Sequence, residues 1–291
     1  MFNPNSTAIR AFVDHCVSQF GREFPDASVA QLHGLEIAAQ TSMETLLNCD
    51  CPYHDIQHTM LVTEVGQTIL SGRQLARGDL QAHDWLQAVV AMLFHDVGYL
   101  RVLLAQDTAD LSIIDSEGNQ IRPPHGASDA FMTPYHVTRS ALYTNDRFAQ
   151  MQVIDTQRVA ECIEMTRFPV PASAAYQETD NLPGLVRAAD LIGQMGDPQY
   201  LQKLSRLYAE FVETGEAQRL GFENAGALRA SFPEFFYSQV HPYIGAGITY
   251  LKKTQEGQRW VANLYQHLYV SQDHADDPRI RAPELVVDNQ A

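Results

Sequence analysis

Leu80-Gln-Ala-His-Asp-Trp-Leu-Gln-Ala-Val-Val-Ala-Met-Leu-Phe94 opens on polar residues, ends on the apolar run Val89-Val-Ala-Met-Leu-Phe94, and leads directly into His95-Asp96. The pattern is helical, and a helix apolar on every side is a buried one. Working outward, amphipathic spacing recurs almost everywhere. Ile9, Phe12, Val13, Cys16, Val17 and Phe20 form an i, i+3, i+4, i+7 stripe, with cap-competent Asn5, Ser6 and Thr7 ahead of it. Further helices are predicted over 28–47, 55–70, 135–149, 154–167, 183–194, 198–213, 223–230, 233–252 and 256–270. No stretch alternates with period two for long enough to suggest a sheet. The fold expected is all-α, one domain over residues 1–270, with a polar tail at 271–291 that carries Pro278 and Pro283.

Gln106 to Pro134 interrupts the helices. It is rich in turn formers and has a small hairpin predicted around Ser116-Glu-Gly-Asn119. Because it leaves from the His95-Asp96 helix and returns at His136, it is expected to lie over or beside any site built on those residues.

Composition excludes several classes of function. In 291 residues, Lys+Arg total 20 against Asp+Glu 35, a net charge of −15, so neither a nucleic acid nor an anionic membrane is expected as the main partner. No apolar run has the length of a membrane span, and Met1-Phe-Asn-Pro-Asn-Ser-Thr7 has none of the features of a signal peptide, so a cytoplasmic location is expected. Cys16, Cys49, Cys51 and Cys162 are too few for a disulfide framework, and Cys49-x-Cys51 is one residue short of CxxC; reduced structural cysteines are expected. No feature of the sequence sets an oligomeric state.

The residues that carry chemistry are His54 and His58 in Tyr53-His-Asp-Ile-Gln-His58, His95 and Asp96 in Leu93-Phe-His-Asp-Val-Gly98, and Asp190 in Arg187-Ala-Ala-Asp190. On one helix, positions 54 and 58 share a face, so two imidazoles could reach one pocket. His95 and Asp96, at the end of a buried helix, would be costly to bury unless a partner or a cation satisfied them. Taken singly, each is equally readable as a hydrogen-bonded core or surface residue.

The order His-x3-His, buried His-Asp, distant Asp resembles the HD superfamily of metal-dependent phosphohydrolases, and more narrowly the catalytic domain of 3′,5′-cyclic nucleotide phosphodiesterases. Tyr53-His-Asp-Ile-Gln-His58 is similar to that family's Tyr-His-Asn-x-x-His, with Asp55 for Asn. Ala189-Asp190 is similar to its Ala-Asp, Glu210-Phe-Val-Glu-Thr-Gly-Glu216 to its Glu-Phe-x-x-x-Gly-Asp, and Ser238-Gln-Val240 to its Ser-Gln-Val. The likeness covers about residues 50–250. It implies a compact helical bundle in which His58, His95, Asp96 and Asp190 bind a divalent ion, Zn, Mn, Fe or Mg. His54 would be the general acid, and Glu210 the carboxylate that orients it. The implied activity is hydrolysis of a small phosphoester, a cyclic nucleotide above all, by hydroxide generated at the ion. A nucleotidase or other phosphomonoesterase would share the same ligands, and a non-catalytic regulatory module would keep only the scaffold.

Tyr99 stands near the place where that family has a second His. His125, His136 and Glu164 are therefore the candidates for a second ion. His125 reads equally as an exposed loop residue and His136 as a helix start. Gln239 and Tyr243 are candidates for contacting a base, with core packing as the alternative. Arg101, Arg139, Arg167 and Arg187 are candidates for contacting phosphate.

Overall fold

The computed structural model describes residues 3–275. Its elements, in chain order, are α1 (Pro4–Glu23), α2 (Val29–Leu46), α3 (Ile56–Arg77), α4 (Ala82–Phe94), a hairpin of β1 (Ser112–Ile113) and β2 (Gln120–Ile121), α5 (His136–Phe148), α6 (Thr156–Glu164), α7 (Leu182–Met195), α8 (Tyr200–Glu213), α9 (Glu216–Leu220), α10 (Ala225–Phe235), α11 (His241–Leu251) and α12 (Gln255–Ala275). The fold is all-α, a compact helical bundle. No helix among the described residues is long and apolar enough to cross a membrane.

α4 is the axis of the bundle. Every residue from Trp85 to Phe94 is buried, and α2, α3, α6 and α7 pack around it. Such burial requires the all-round apolar surface that the sequence displays. α3 and α7 approach at backbone distance: a Cβ added to Gly193 would lie 2.8 Å from Val62 Cα, and one added to Gly66 would strike Met92 of α4. These glycines let α3, α4 and α7 close on one another near His58, His95 and Asp190.

Local chemistry moves several predicted boundaries. α1 is capped by Asn3, whose side chain accepts from Asn5 N at 3.0 Å, and not by Asn5, Ser6 or Thr7; Pro4, in the first turn, needs no intrahelical donor. α6 stops at Glu164, short of the predicted 167, with the Met165 and Thr166 amides turning back to Cys162 and Ile163. α10 and α11 are joined by a π turn at Phe236–Val240, so the break expected near Pro233 is absent, and the short α9 lay outside the expectation. α12 continues to Ala275 with Ser271 buried, which corrects the start of the tail; 276–291 lie outside the described residues.

The hairpin forms as predicted, with Ser112 opposite Ile121 and Ile113 opposite Gln120. Arg139 anchors the segment that carries it. Wholly buried on α5, it donates to the carbonyls of Gly98, Leu100, Arg101 and Ile113 and pairs with Asp107 at 2.9 Å. Its donors are spent on backbone, so it is a structural clamp and not a phosphate contact. Further along, Ser128 donates to Glu213 of α8, while Ala130 packs with Cys51 and Tyr99, which places residues 128–130 beside the site described next.

Candidate metal centre

α3 starts at Ile56 because Asp55 caps it, accepting from Gln57 N at 2.9 Å and His58 N at 3.0 Å. The cap leaves His54 outside the helix, which corrects the expectation that positions 54 and 58 lie a helical turn apart. Their rings nonetheless approach, with centroids 5.6 Å apart. α4 ends at Phe94, His95 takes the C-cap position, and Asp96 turns the chain into a short 3-10 segment at Val97–Tyr99.

Three helices bring the four expected ligands together. Ligand atoms of His58, His95 and Asp190 all lie within 4.8 Å of one another. The two imidazole Nε2 atoms are 3.4 Å apart, and Asp96 Oδ2 lies 3.3 Å from that of His58 and 3.1 Å from that of His95. Asp190 Oδ1 is 3.5 and 3.6 Å from the same two nitrogens. His95 Nδ1 lies 2.7 Å from the carbonyl of Met92. A carbonyl only accepts, so Nδ1 carries the ring proton and the lone pair of Nε2 faces the cluster. Asp96 Oδ2 is buried with no hydrogen-bond partner. An orphaned carboxylate oxygen facing two imidazole nitrogens is a donor set that a divalent cation fits.

The electrostatics agree. Burial works against positive charge on His58 and His95, yet Asp190 and Asp96 raise the affinity of both rings for it. Burial likewise opposes ionisation of Asp190, but His58 and His95 beside it, when they carry positive charge, bring the carboxyl down to about 2. The cluster therefore holds two carboxylates and attracts a cation or protons in its place.

Beside the cluster, His54 pairs with Glu210. Nδ1 is 2.6 Å from Oε2, and Glu210 Oε1 accepts from the amides of Tyr53 at 2.7 Å and His54 at 3.2 Å. Burial disfavours the imidazolium, but the Glu210 carboxylate outweighs it and lifts the His54 pKa to about 9. On its other side the His54 ring stacks on Tyr99, which in turn stacks on His136 at 4.2 Å between centroids.

His136 is brought to the edge of the cluster, its Nε2 3.8 Å from Asp96 Oδ1. Its Nδ1 lies 2.7 Å from Thr133 O and so carries the proton; burial takes its pKa down to about 4 despite Asp96, leaving Nε2 free to ligate. These residues lie in one continuous stretch of the fold, and residues 2–274 match the Npun_R2479-like family. The chain belongs to the Npun_R2479-like family. Comparison with curated proteins finds no match.

In this Npun_R2479-like chain the remaining candidates lie elsewhere or are engaged. His125 is exposed on the wall of an open cavity of about 620 Å³ that also includes Arg101 and Asp129. Glu164 is taken by Arg167 and by the Tyr176 hydroxyl at 2.6 Å. Gln239 is exposed on the π turn, and Tyr243 receives the Arg187 guanidinium over its ring at 4.5 Å. Arg101 is tied to Asp129 and Asp50, whereas Arg187 donates to the carbonyls of Tyr176 and Glu178 and keeps a buried Nε without a hydrogen-bond partner. The sequence gives no sign of the aromatic sandwich, since Tyr99 stands there only where a histidine is absent. The carbonyls of Met92 and Thr133, which fix two tautomers, leave no trace in a sequence.

Proposed function

We propose that this chain is a divalent-metal-dependent phosphohydrolase of the HD type that cleaves a small phosphodiester, with a 3′,5′-cyclic nucleotide as the sharpest candidate. The reading rests on one observation: a His58–His95–Asp96–Asp190 cluster, buried but for a half-buried Asp190, with a separate His54–Glu210 pair beside it, acid–base machinery adjoining a ligand set without belonging to it. The ion would be held by those four residues, with Zn, Mn, Fe or Mg all compatible with two imidazoles and two carboxylates. Bound there, it supplies Lewis acidity, polarising a phosphoryl oxygen and lowering the pKa of water to near 7.

The chain's own residues do the rest. Glu210, fixed by two backbone amides, holds His54 protonated at neutral pH, with Nδ1 committed to the carboxylate and the Nε2 proton available to the departing ester oxygen. Tyr99 walls one face of that imidazole and limits its rotation. His136 offers Nε2 toward Asp96 Oδ1, the best-placed ligand for a second ion.

The exposed position of Gln239 favours a second reading, a phosphomonoesterase or nucleotidase, because no described contact sets that amide to read a base. A panel of cyclic nucleotides, nucleoside monophosphates and an aryl phosphodiester, run with each metal, separates the two. Turnover of cyclic nucleotides supports the first reading, and turnover of monophosphates alone supports the second. No turnover of any by metal-loaded protein would overturn both.

A further inference from the structure

Cys49 and Cys51 are free thiols in a segment, Cys49 to Asp55, that carries neither helix nor strand. Cys49 packs against the small cluster that Cys51 forms with Tyr99 and Ala130. Cys49 meets the acid–base pair directly, and Cys51 reaches it through Tyr99. Cys49 Sγ lies 3.6 Å from the carbonyl of His54, and Cys51 packs on Tyr99, whose ring stacks on His54. Cys49 is only half-buried, whereas Cys51 is buried beneath it. The intervening Asp50 is pinned, its amide donating to Asp129 Oδ2 at 3.0 Å and its carboxylate held by Arg101 at 2.9 Å.

We propose that Cys49 and Cys51 form a reversible intramolecular disulfide that displaces His54 from Glu210. Residues two apart in irregular backbone can bring their Cα atoms into the range a disulfide requires. With Asp50 held, closure of the small ring is taken up by the flanks, and the C-terminal flank is the turn whose Tyr53 and His54 amides grip Glu210. The oxidant is a small-molecule disulfide such as oxidised glutathione. The Cys49 thiolate attacks one glutathione sulfur and expels the other as a thiolate. Cys51 sulfur then attacks Cys49 Sγ, expelling the second glutathione and closing the Cys49–Cys51 bond. Two cysteine thiols are oxidised, one glutathione disulfide is reduced to two thiols, and the two cysteine protons pass to those leaving thiolates. Cys16 and Cys162 are wholly buried, so that oxidised glutathione cannot reach either sulfur, and serve as unreactive references, whereas buried Cys51 needs to reach only the adjacent Cys49 sulfur.

Formation of the bond does not depend on the phosphohydrolase reading, but its effect on turnover does. Trypsin releases residues 23–73 as a peptide that contains Cys49 and Cys51 and no other cysteine. Full-length protein treated with oxidised glutathione should yield this peptide lighter by two hydrogens and free of adduct, with dithiothreitol restoring its mass. The ring resonances of His54 should shift in the same samples. Turnover of 3′,5′-cyclic AMP should fall roughly ten- to hundredfold, the cost of a displaced catalytic group, and recover on reduction, while Cys49→Ser protein should respond to neither reagent. A stable glutathione adduct, an unchanged peptide mass, or a disulfide that leaves the His54 resonances unmoved would overturn the proposal. If reduced protein fails to turn over cyclic AMP, it is the phosphohydrolase reading that falls, and the peptide mass and the resonances still decide the switch. Should Cys49→Ser not fold, reversal in the wild type carries the test.

Discussion

The phenol ring of Tyr99 lies against the imidazole of His54, centroids 4.6 Å apart and planes 20° from parallel. A protonated imidazole on the face of an aromatic ring gains a cation–π attraction of about 0.5–2 kcal/mol. Tyr99→Phe keeps that face and should retain near-normal turnover. Tyr99→Leu, which lacks a quadrupole, should bring the His54 pKa below 9, by up to about 1.5 for the full 2 kcal/mol, with metal content unchanged, read by NMR titration of the ring and elemental analysis. Equal shifts in both variants would reduce Tyr99 to a packing residue.

His54→Ala should leave the metal in place and reduce turnover of a cyclic nucleotide by roughly 10²–10⁴, the usual contribution of a positioned acid. An aryl diester with a p-nitrophenolate leaving group needs little protonation and should be hydrolysed at a rate much nearer to normal. Parallel kinetics on the two substrates provide the check. Loss of metal, or equal loss on both substrates, would make His54 a ligand or a structural residue.

Purified protein should carry at least one divalent transition metal per chain, lost in Asp96→Ala, because that change removes the carboxylate oxygen shared between His58 and His95. Mass-spectrometric metal analysis reads this directly. Chelation should lower the melting temperature, since an ion bound only by the folded chain stabilises it. Full metal occupancy in Asp96→Ala would refute the ligand set.

The pH dependence of stability should carry the signature of the His54–Glu210 pair in chelator-treated protein. His54 has a folded pKa of about 9 against an ordinary 6.5, so its contribution is complete below the ordinary value and is lost as pH rises through 9. Glu210, opposed by burial but held down by His54 and the amides, contributes above its ordinary range and loses that contribution as pH falls. Wild-type melting temperature should therefore decline between pH 7 and about 9.5. In Glu210→Gln the alkaline decline should be shallower and maximal stability lower, as thermal melts across pH will show.

The convergence of His58, His95, Asp96 and Asp190 and the presence of the hairpin are legible because each has a local signature: ionisable residues at the end of an apolar helix, and a Ser-Glu-Gly-Asn turn. The motif spacing puts His54 on the helix of His58, but Asp55, which the motif treats as a variant of Asn, is the N-cap that excludes it. Arg139 looked like a phosphate contact because an arginine shows its charge and not its partners. Its four carbonyl acceptors come from residues 98–113, and nothing in that stretch signals the need. His136 reads in the sequence both as a second-ion candidate and as a helix start, because the orienting carbonyl and the carboxylate neighbour that favour the first come only with folding.

Arg139 also determines how the wall of the site comes apart. Residues 98–113 form no helix longer than one 3-10 turn, yet their carbonyls are closed by one guanidinium paired with Asp107, itself holding the amides of Leu103, Leu104 and Ile113. Such a segment cannot fray residue by residue, because releasing any part of it exposes the shared cation. Its amides should exchange with deuterium as one cooperative unit, with a single opening free energy that couples the hairpin to the chain leaving Asp96.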